Sequence, residues 1–88
     1  MVSKQITITL NQDLFPNVAN FFVQQASKFQ SDIKVVRHTA TIDAKSIMGL
    51  LSLGISNGHV ITIKAEGLDE KEAVEVLSSL LKNEISLS

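Results

Sequence analysis

The sequence predicts an α+β fold in which a four-stranded, mostly antiparallel sheet carries three helices on one face. Four segments alternate apolar with polar residues or are rich in β-branched side chains, and three segments repeat apolar residues at helical spacing. They follow one another as β-α-β-β-α-β-α, an order that lacks the repeated parallel crossovers of a doubly wound sheet. The 88 residues suffice for one domain, spanning residues 1–88.

The first half of the chain predicts a strand, a helix and a hairpin. From Ser3 to Leu10 isoleucines alternate with threonines, as in a strand with one buried face. Between Val18 and Phe29 apolar residues recur three and four apart, and Pro16 suits the first turn of this helix. Residues 33–37 and 39–42 alternate again, which indicates two short strands joined by a turn.

The second half predicts a short helix, a strand and a longer helix. The short helix follows Ser46, and we expect it to end at Gly54, which can adopt the left-handed conformation. Asn57-Gly58 predicts a turn, and the β-branched segment Val60–Ala65 predicts the fourth strand. Asp69–Glu72 offers an N-cap with an acidic residue three positions later, which is typical of a capping box.

Charge and composition exclude several functions. The net charge is −1, and four phenylalanines without tyrosine or tryptophan give little for base stacking, so we expect no direct nucleic-acid binding. Without cysteine there is no disulfide, thiolate nucleophile or sulfur-ligated metal. The longest nearly apolar run, Ile47–Ile55, is far short of the ~20 residues of a membrane helix. The N-terminus starts with alternating residues rather than a signal sequence, and we expect a cytoplasmic protein.

Ser46 is the most informative single residue, because it immediately precedes the short apolar helix. Serine is a favoured N-cap, and the free N–H groups at a helix start attract negative charge. A phosphate on Ser46 would therefore be tolerated there. The alternative is that Ser46 is only a cap and that the apolar residues after it belong only to the core, namely Ile47, Met48, Leu50 and Leu51.

Three segments, in the right order and within a domain of the right length, resemble the HPr family of phosphocarrier proteins. They are Lys45–Gly49 with Ser52–Gly54, then Val23–Phe29, and finally Ala65–Gly67 with Asp69, Glu70 and Ala73. Nearly the whole chain aligns with this family without gaps. The resemblance implies an open-faced β-sandwich and a role in the sugar phosphotransferase system.

The chain departs from the family at the phosphate-accepting histidine. The family has a Gly-Leu-His-Ala-Arg-Pro-Ala type motif at its first helix, and residues 13–19 here match only its leucine and last alanine. Phe15, which has no lone pair to attack with, replaces the histidine. Asn17 replaces the arginine and its charged donors, while Pro16 removes a backbone N–H. We expect no histidine phosphocarrier activity. Phe15 either projects outward as part of an apolar patch or folds inward against the first helix.

The remaining titratable residues predict no catalytic site. His38 and His59 lie at predicted turns, and we interpret both as solvated turn histidines. Asp43 is interpreted as a strand-end charge, and the acidic residues within Asp69–Glu72 as first-turn helix acids. No Ser-His-Asp arrangement, metal-ligand spacing or glycine-rich phosphate loop is visible. We assign no catalytic residue, metal or cofactor.

The resemblance, together with the missing histidine, implies a regulatory HPr-like protein of the Crh type. HPr kinase/phosphorylase would phosphorylate Ser46, and the product would bind a catabolite control protein of the LacI type as corepressor in carbon catabolite repression. The partner-binding residues would be Phe15, Asn17, Ile47, Met48, Leu51 and Ser52. Two alternatives stay open: a phosphocarrier with another acceptor, and a phosphate-independent adaptor or homodimer using Phe15, Met48 and Leu51.

Overall fold

The computed structural model describes residues 1–9, 15–53 and 58–82, with the backbone alone for residues 15–18. The predicted order of elements is confirmed. In chain order they are β1 (Val2–Thr7), α1 (Phe15–Ser27), β2 (Asp32–Arg37), β3 (Ala40–Asp43), α2 (Ile47–Ser52), β4 (Val60–Glu66) and α3 (Glu70–Leu81).

The four strands form one sheet in the order β1-β4-β2-β3, and each strand pair in the described residues is antiparallel. Val35 of β2 lies opposite Ile63 of β4 and Ile42 of β3, which fixes the register across three strands. The face that packs on the helices is apolar and buried: Ile6, Ile33, Val35, Ile61, Ile63 and Ala65. The other face carries mostly polar residues, as the predicted alternation requires, together with Val36 and the exposed Val60.

The helices complete an open-faced α+β sandwich, as predicted. Helix α3 packs on β1, β4 and α1, whereas α2 packs on α1 and on the edge strand β3. The core between helices and sheet includes Phe22 of α1, Leu50 of α2 and Leu77 of α3, all fully buried. This arrangement places the start of α2 directly after the sheet edge and beside α1.

Two element boundaries differ from the sequence prediction. β1 ends at Thr7 rather than Leu10, because the amide of Thr9 turns away and donates to Leu81 O of α3 at 3.1 Å. Leu10 itself lies outside the described residues. α1 ends at Ser27 rather than Phe29, because the Phe29 amide donates to Ala26 O, three residues back, in a tighter final turn.

The predicted end of the short helix at Gly54 falls outside the described residues. Helix α2 itself ends at Ser52, and Leu53 follows as the C-cap in a right-handed conformation with φ −68° and ψ −19°. Of the predicted turn at Asn57-Gly58, Gly58 is described and has the positive φ of +92° that favours glycine. Within the described ranges, no helix has the length and hydropathy to cross a membrane.

Candidate functional site

Ser46 is the N-cap of α2, as its sequence position predicted. Its backbone is extended, with φ −114° and ψ 115°, and its Oγ accepts a hydrogen bond from the Gly49 amide at 3.1 Å. The Ser46 carbonyl accepts from the Leu50 amide at 3.1 Å, and the Ser46 amide donates to Asp43 O at 3.1 Å. The residue is half-buried, and its hydroxyl is held at the helix start by the contact with Gly49.

Gly49 allows α2 to lie close to β3, a role that sequence reasoning missed. A Cβ at this position would lie 3.2 Å from Ile42 Cβ and 3.5 Å from Ser46 Oγ. A side chain here would press on Ile42 of the strand beneath, whereas its distance to the capping oxygen is an ordinary contact. The glycine thereby allows α2 to approach β3 closely.

The apolar residues of α2 divide between core and solvent. Leu50 is fully buried and Ile47 half-buried, but Met48 is 75% exposed and Leu51 51% exposed. The alternative that all four belong only to the core is therefore wrong for Met48 and Leu51. Their exposure follows from the shortness of α2, which turns one residue fully inward and leaves the opposite side uncovered.

The N-cap residue and three residues of α2 are exposed or half-buried, and we call this group the Ser46 surface: Ser46, Met48, Leu51 and Ser52. Ser52 is exposed, and its Oγ donates to Gly49 O at 2.7 Å. The Ser46 surface thus has a hydroxyl at the start of α2 and two large apolar side chains further along the helix, as the sequence predicted. Two large apolar side chains exposed one helical turn apart make this group a candidate interaction surface.

Phe15 and Asn17 belong to the first turn of α1, which begins at Phe15. α1 packs against α2, so the backbone brings the two predicted parts of the partner-binding region to the same side of the sheet. The side chains of both residues lie outside the described part of the structure. Their membership of the Ser46 surface, and the orientation of Phe15, stay predictions.

Two basic side chains beside α2 contact backbone carbonyls, which the sequence did not indicate. Lys45 Nζ donates to Phe29 O, just beyond the end of α1, at 2.9 Å. Arg37 Nη1 donates to Leu53 O, at the end of α2, at 2.7 Å. Each basic side chain therefore joins a helix end to a distant part of the chain.

The interpretation of the two histidines is corrected for one of them. His38 lies in the β2–β3 turn with φ 55° and is exposed, in agreement with a solvated turn residue. His59 is half-buried, and its Nε2 lies 3.3 Å from Arg37 Nη2. The contact arises because the sheet brings the start of β4 beside the end of β2, and this proximity is invisible in local sequence.

Asp69 occupies the predicted N-cap position of α3 but does not make the predicted cap. In the described part of the chain, its carboxylate makes no cap hydrogen bond and instead accepts from the amides of Gln30 at 2.9 Å and Ser31 at 3.0 Å and from the Ser31 hydroxyl. The Ser31 hydroxyl, followed by the Gln30 amide, lowers the pKa of Asp69 below its ordinary value. Asp69 therefore fastens α3 to the loop before β2.

The acidic residue of α3 that bonds to the chain before the helix is Glu70, and not Glu72, the acid three positions after Asp69. Its carboxylate accepts from the Gly67 amide at 3.2 Å and lies 3.2 Å from the Met1 amine. The Gly67 amide, followed by the Met1 amine, lowers the pKa of Glu70. Both acids at this helix start have structural partners, and across residues 1–9, 15–53 and 58–82 no group of three His, Asp or Glu side chains is arranged to hold a metal.

Comparison with known protein families identifies the chain's relatives. The family model described as the PTS HPr component phosphorylation site matches residues 2–83. The chain belongs to the HPr family. It is 43% identical over 84 residues to the HPr-like protein Crh of Halalkalibacterium halodurans, a match that covers 96% of this chain and 100% of the relative. Bacillus subtilis Crh is 39% identical over 85 residues, with 97% of this chain and 100% of Crh covered.

Solved structures of HPr-family proteins confirm the fold. HPr-C-His from Thermoanaerobacter tengcongensis superposes with a TM-score of 0.89 at 43% identity, covering 99% of this chain and 100% of that one. The phosphocarrier protein HPr from Bacillus anthracis gives 0.87 at 41% identity, covering 91% and 95%. The crystal structure of Bacillus subtilis Crh, a dimer with a swapped domain, gives 0.75 at 36% identity, covering 98% and 94%.

Proposed function

We propose that this HPr-family chain is a Crh-like cytoplasmic regulator that is phosphorylated on Ser46 by HPr kinase/phosphorylase. The phosphorylated form then binds a catabolite control protein of the LacI type as corepressor in carbon catabolite repression. The observation that carries the proposal is the position of the Ser46 hydroxyl, which caps α2 beside the exposed side chains of Met48 and Leu51. The near full-length similarity to two Crh proteins supports it.

Phosphorylation would change this surface through charge. A phosphate on Ser46 adds about −1.5 to −2 charges at neutral pH. The first turn of α2 contains no acidic residue to repel it, and the N–H groups there favour a negative group. Met48 and Leu51 would supply apolar contact area next to the new charge. A partner with basic residues around an apolar pocket fits this combination.

The same proposal assigns the chain no phosphocarrier histidine and no catalytic residue. The backbone places Phe15 at the first position of α1, where the family's histidine is expected, and a phenyl ring offers no nucleophilic atom. His38 lies in a hairpin turn, and His59 precedes β4 next to Arg37. Neither is the first residue of a described helix, where free amides would help to hold a phosphoryl group. Acid-labile label on the chain after incubation with Enzyme I and labelled phosphoenolpyruvate would favour the phosphocarrier alternative instead.

A phosphate-independent adaptor or homodimer is the second candidate, and two observations favour it. Met48 and Leu51 are exposed without any modification of Ser46. Bacillus subtilis Crh forms a dimer in the crystal and in the solid state. If this candidate is correct, partner binding or self-association survives Ser46→Ala unchanged and is lost when Met48 and Leu51 are replaced by serine.

The decisive test of the modification is to incubate the chain with HPr kinase and ATP and to locate the phosphate by mass spectrometry. We expect a single phosphate on Ser46 and none in Ser46→Ala. Ser52→Ala is the matched control, because Ser52 is an exposed serine on the same helix and its loss should leave phosphorylation unchanged. Phosphate on Ser52, or no phosphate on the wild-type chain, would refute the proposal.

A further inference from the structure

Helix α2 carries the Ser46 surface but has little of its own to hold it in place. It has six residues, all of them described, and Leu50 is its one fully buried side chain. Helices this short are unstable alone, and their last carbonyl groups have no partner within the helix. The last turn of α2 contains no basic residue to satisfy them. A partner from another element would therefore stabilise its C-terminal end.

Arg37 supplies that contact from the end of β2. Its Nη1 donates to the carbonyl of Leu53, the C-cap residue of α2, at 2.7 Å. A guanidinium at this place both satisfies a terminal carbonyl and complements the negative end of the helix dipole. Leu53 is itself buried, with 8% exposure, so the bond forms where competition from water is reduced.

His59 orients the Arg37 guanidinium. Nη2 of Arg37 lies 3.3 Å from His59 Nε2. Because a guanidinium can only donate, a hydrogen bond at this contact runs from Nη2 to Nε2. The backbone of His59 is tied to the sheet, since its carbonyl accepts from the Ile8 amide at 2.9 Å. The guanidinium thus lies between the C-terminal end of α2 and the His59 side chain, whose backbone is held at the start of β4.

We propose that Arg37 is a positioning residue for the Ser46 surface. Its hydrogen bond to Leu53 O fixes the C-terminal end of α2. The same bond thereby fixes the positions of the Met48 and Leu51 side chains, which would contact a partner. The consequence for binding rests on the proposed function, whereas the consequence for α2 does not. Lys34 is the matched comparison: it is also a cation on β2, but it pairs with Asp32 at 3.5 Å and does not reach α2 in the described structure.

Amide hydrogen exchange measured by NMR tests the positioning role directly. The reporters are the Leu50 and Leu53 amides, which donate to Ser46 O and Gly49 O, and the reference is the Ile63 amide in the centre of the sheet. In Arg37→Met we expect the α2 amides to exchange about tenfold faster relative to Ile63, which is the loss expected for one charge-assisted hydrogen bond. Lys34→Met should leave this ratio unchanged.

Arg37→Lys keeps the charge but not the two-pronged geometry, so it should restore part of the protection and give an increase of about threefold over the wild type. This variant also keeps the test decisive if Arg37→Met does not fold. An unchanged ratio of α2 to Ile63 exchange in both Arg37 variants would overturn the proposal, because it would mean that Arg37 affects only global stability.

The binding arm uses a purified LacI-type catabolite control protein and chains phosphorylated on Ser46. We expect Arg37→Met to bind about fivefold more weakly than the wild type, with Arg37→Lys between them, and Lys34→Met to bind like the wild type. Equal affinity of all four chains would contradict the positioning role in recognition. Failure of the proposed function has a different signature, in which the phosphorylated wild type does not bind while the exchange difference at α2 remains.

Discussion

Two side chains at helix starts, Ser46 and Asp69, use their oxygens in different ways. Ser46 Oγ accepts from the Gly49 amide of its own helix, whereas the Asp69 carboxylate accepts from Gln30 and Ser31 in the loop before β2. The first contact is local in sequence and was predictable from residue type. The second joins residues 38 positions apart, and nothing in the Asp69 neighbourhood of the sequence indicates it.

Ser46→Ala should destabilise the protein by about 1 kcal/mol, because the Gly49 amide loses its capping acceptor. Ser46→Asp keeps an acceptor at the N-cap, so its free energy of unfolding should stay within about 0.5 kcal/mol of the wild type. Urea unfolding followed by circular dichroism measures both. The result that would contradict the capping role is equal stability of the alanine variant and the wild type.

Stability should fall in acid partly because Asp69 must be protonated there. Its pKa in the folded protein is lowered below its ordinary value of 3.8, so the carboxylate stabilises the fold fully above that value. This contribution is lost as the pH falls below 3.8 and through the lowered pKa. Asp69→Ala should therefore be less stable than the wild type at pH 7.

The stability difference between Asp69→Ala and the wild type should shrink as urea titrations are repeated from pH 5 down to pH 2. Glu70, whose pKa is also lowered, is present in both proteins, so the difference between them isolates Asp69. A difference that stays constant over this range would mean that ionisation of Asp69 does not contribute to the stability of the fold.

Helix α3 and strand β4 meet at Gly67, where the chain passes close to Ser31. Gly67 has a φ of +154°, and a Cβ there would lie 2.6 Å from Ser31 Oγ and 2.7 Å from Ser31 Cα. The two carboxylates that follow, Asp69 and Glu70, hold the same junction by accepting from the Ser31 and Gly67 amides. The junction is thus held both by the close approach of Gly67 to Ser31 and by the hydrogen bonds of the two carboxylates.

Gly67→Ala should destabilise the protein by about 3 kcal/mol, because the new methyl group collides with backbone as well as side chain and the left-handed region is unfavourable for alanine. Gly58→Ala is the control, since Gly58 also has a positive φ, of +92°, but none of the residues that the structure describes lies within 4 Å of a Cβ there. Its cost should be about 1 kcal/mol, from backbone strain alone. Thermal unfolding of the two variants would contradict this explanation if their midpoints were equal.

The order of the elements was predictable because each segment shows its own periodicity, and burial of Ile33, Ile61 and Leu77 follows from that pattern. The contacts around α2 were not predictable in the same way. Arg37 reaches Leu53 across 16 positions and His59 across 22, and a local pattern contains no information about such pairs. The capping role of Ser46 was predictable because capping is local in sequence. The contact of Arg37 was not predictable because its partner is distant in sequence.

For the protein as a whole, stability and partner recognition depend on different side chains of α2, as the neighbouring residues Leu50 and Leu51 illustrate. Leu50 is fully buried and Leu51 is 51% exposed. Leu50→Ala should lower the free energy of unfolding by about 3 kcal/mol through cavity formation, whereas Leu51→Ala should change it by about 0.5 kcal/mol or less. Leu51→Ala should nevertheless weaken partner binding. Equal stability losses in the two variants would show that α2 does not present Leu51 to solvent.

Calorimetric titration of a purified LacI-type catabolite control protein with the chain, before and after phosphorylation of Ser46, tests the proposed corepressor role. We expect the phosphorylated chain to bind at least about tenfold more tightly, through new charge-assisted contacts, and we expect Leu51→Ala to reduce this gain. Equal affinity of the phosphorylated and unmodified chains for the regulator would show that recognition does not depend on the phosphate.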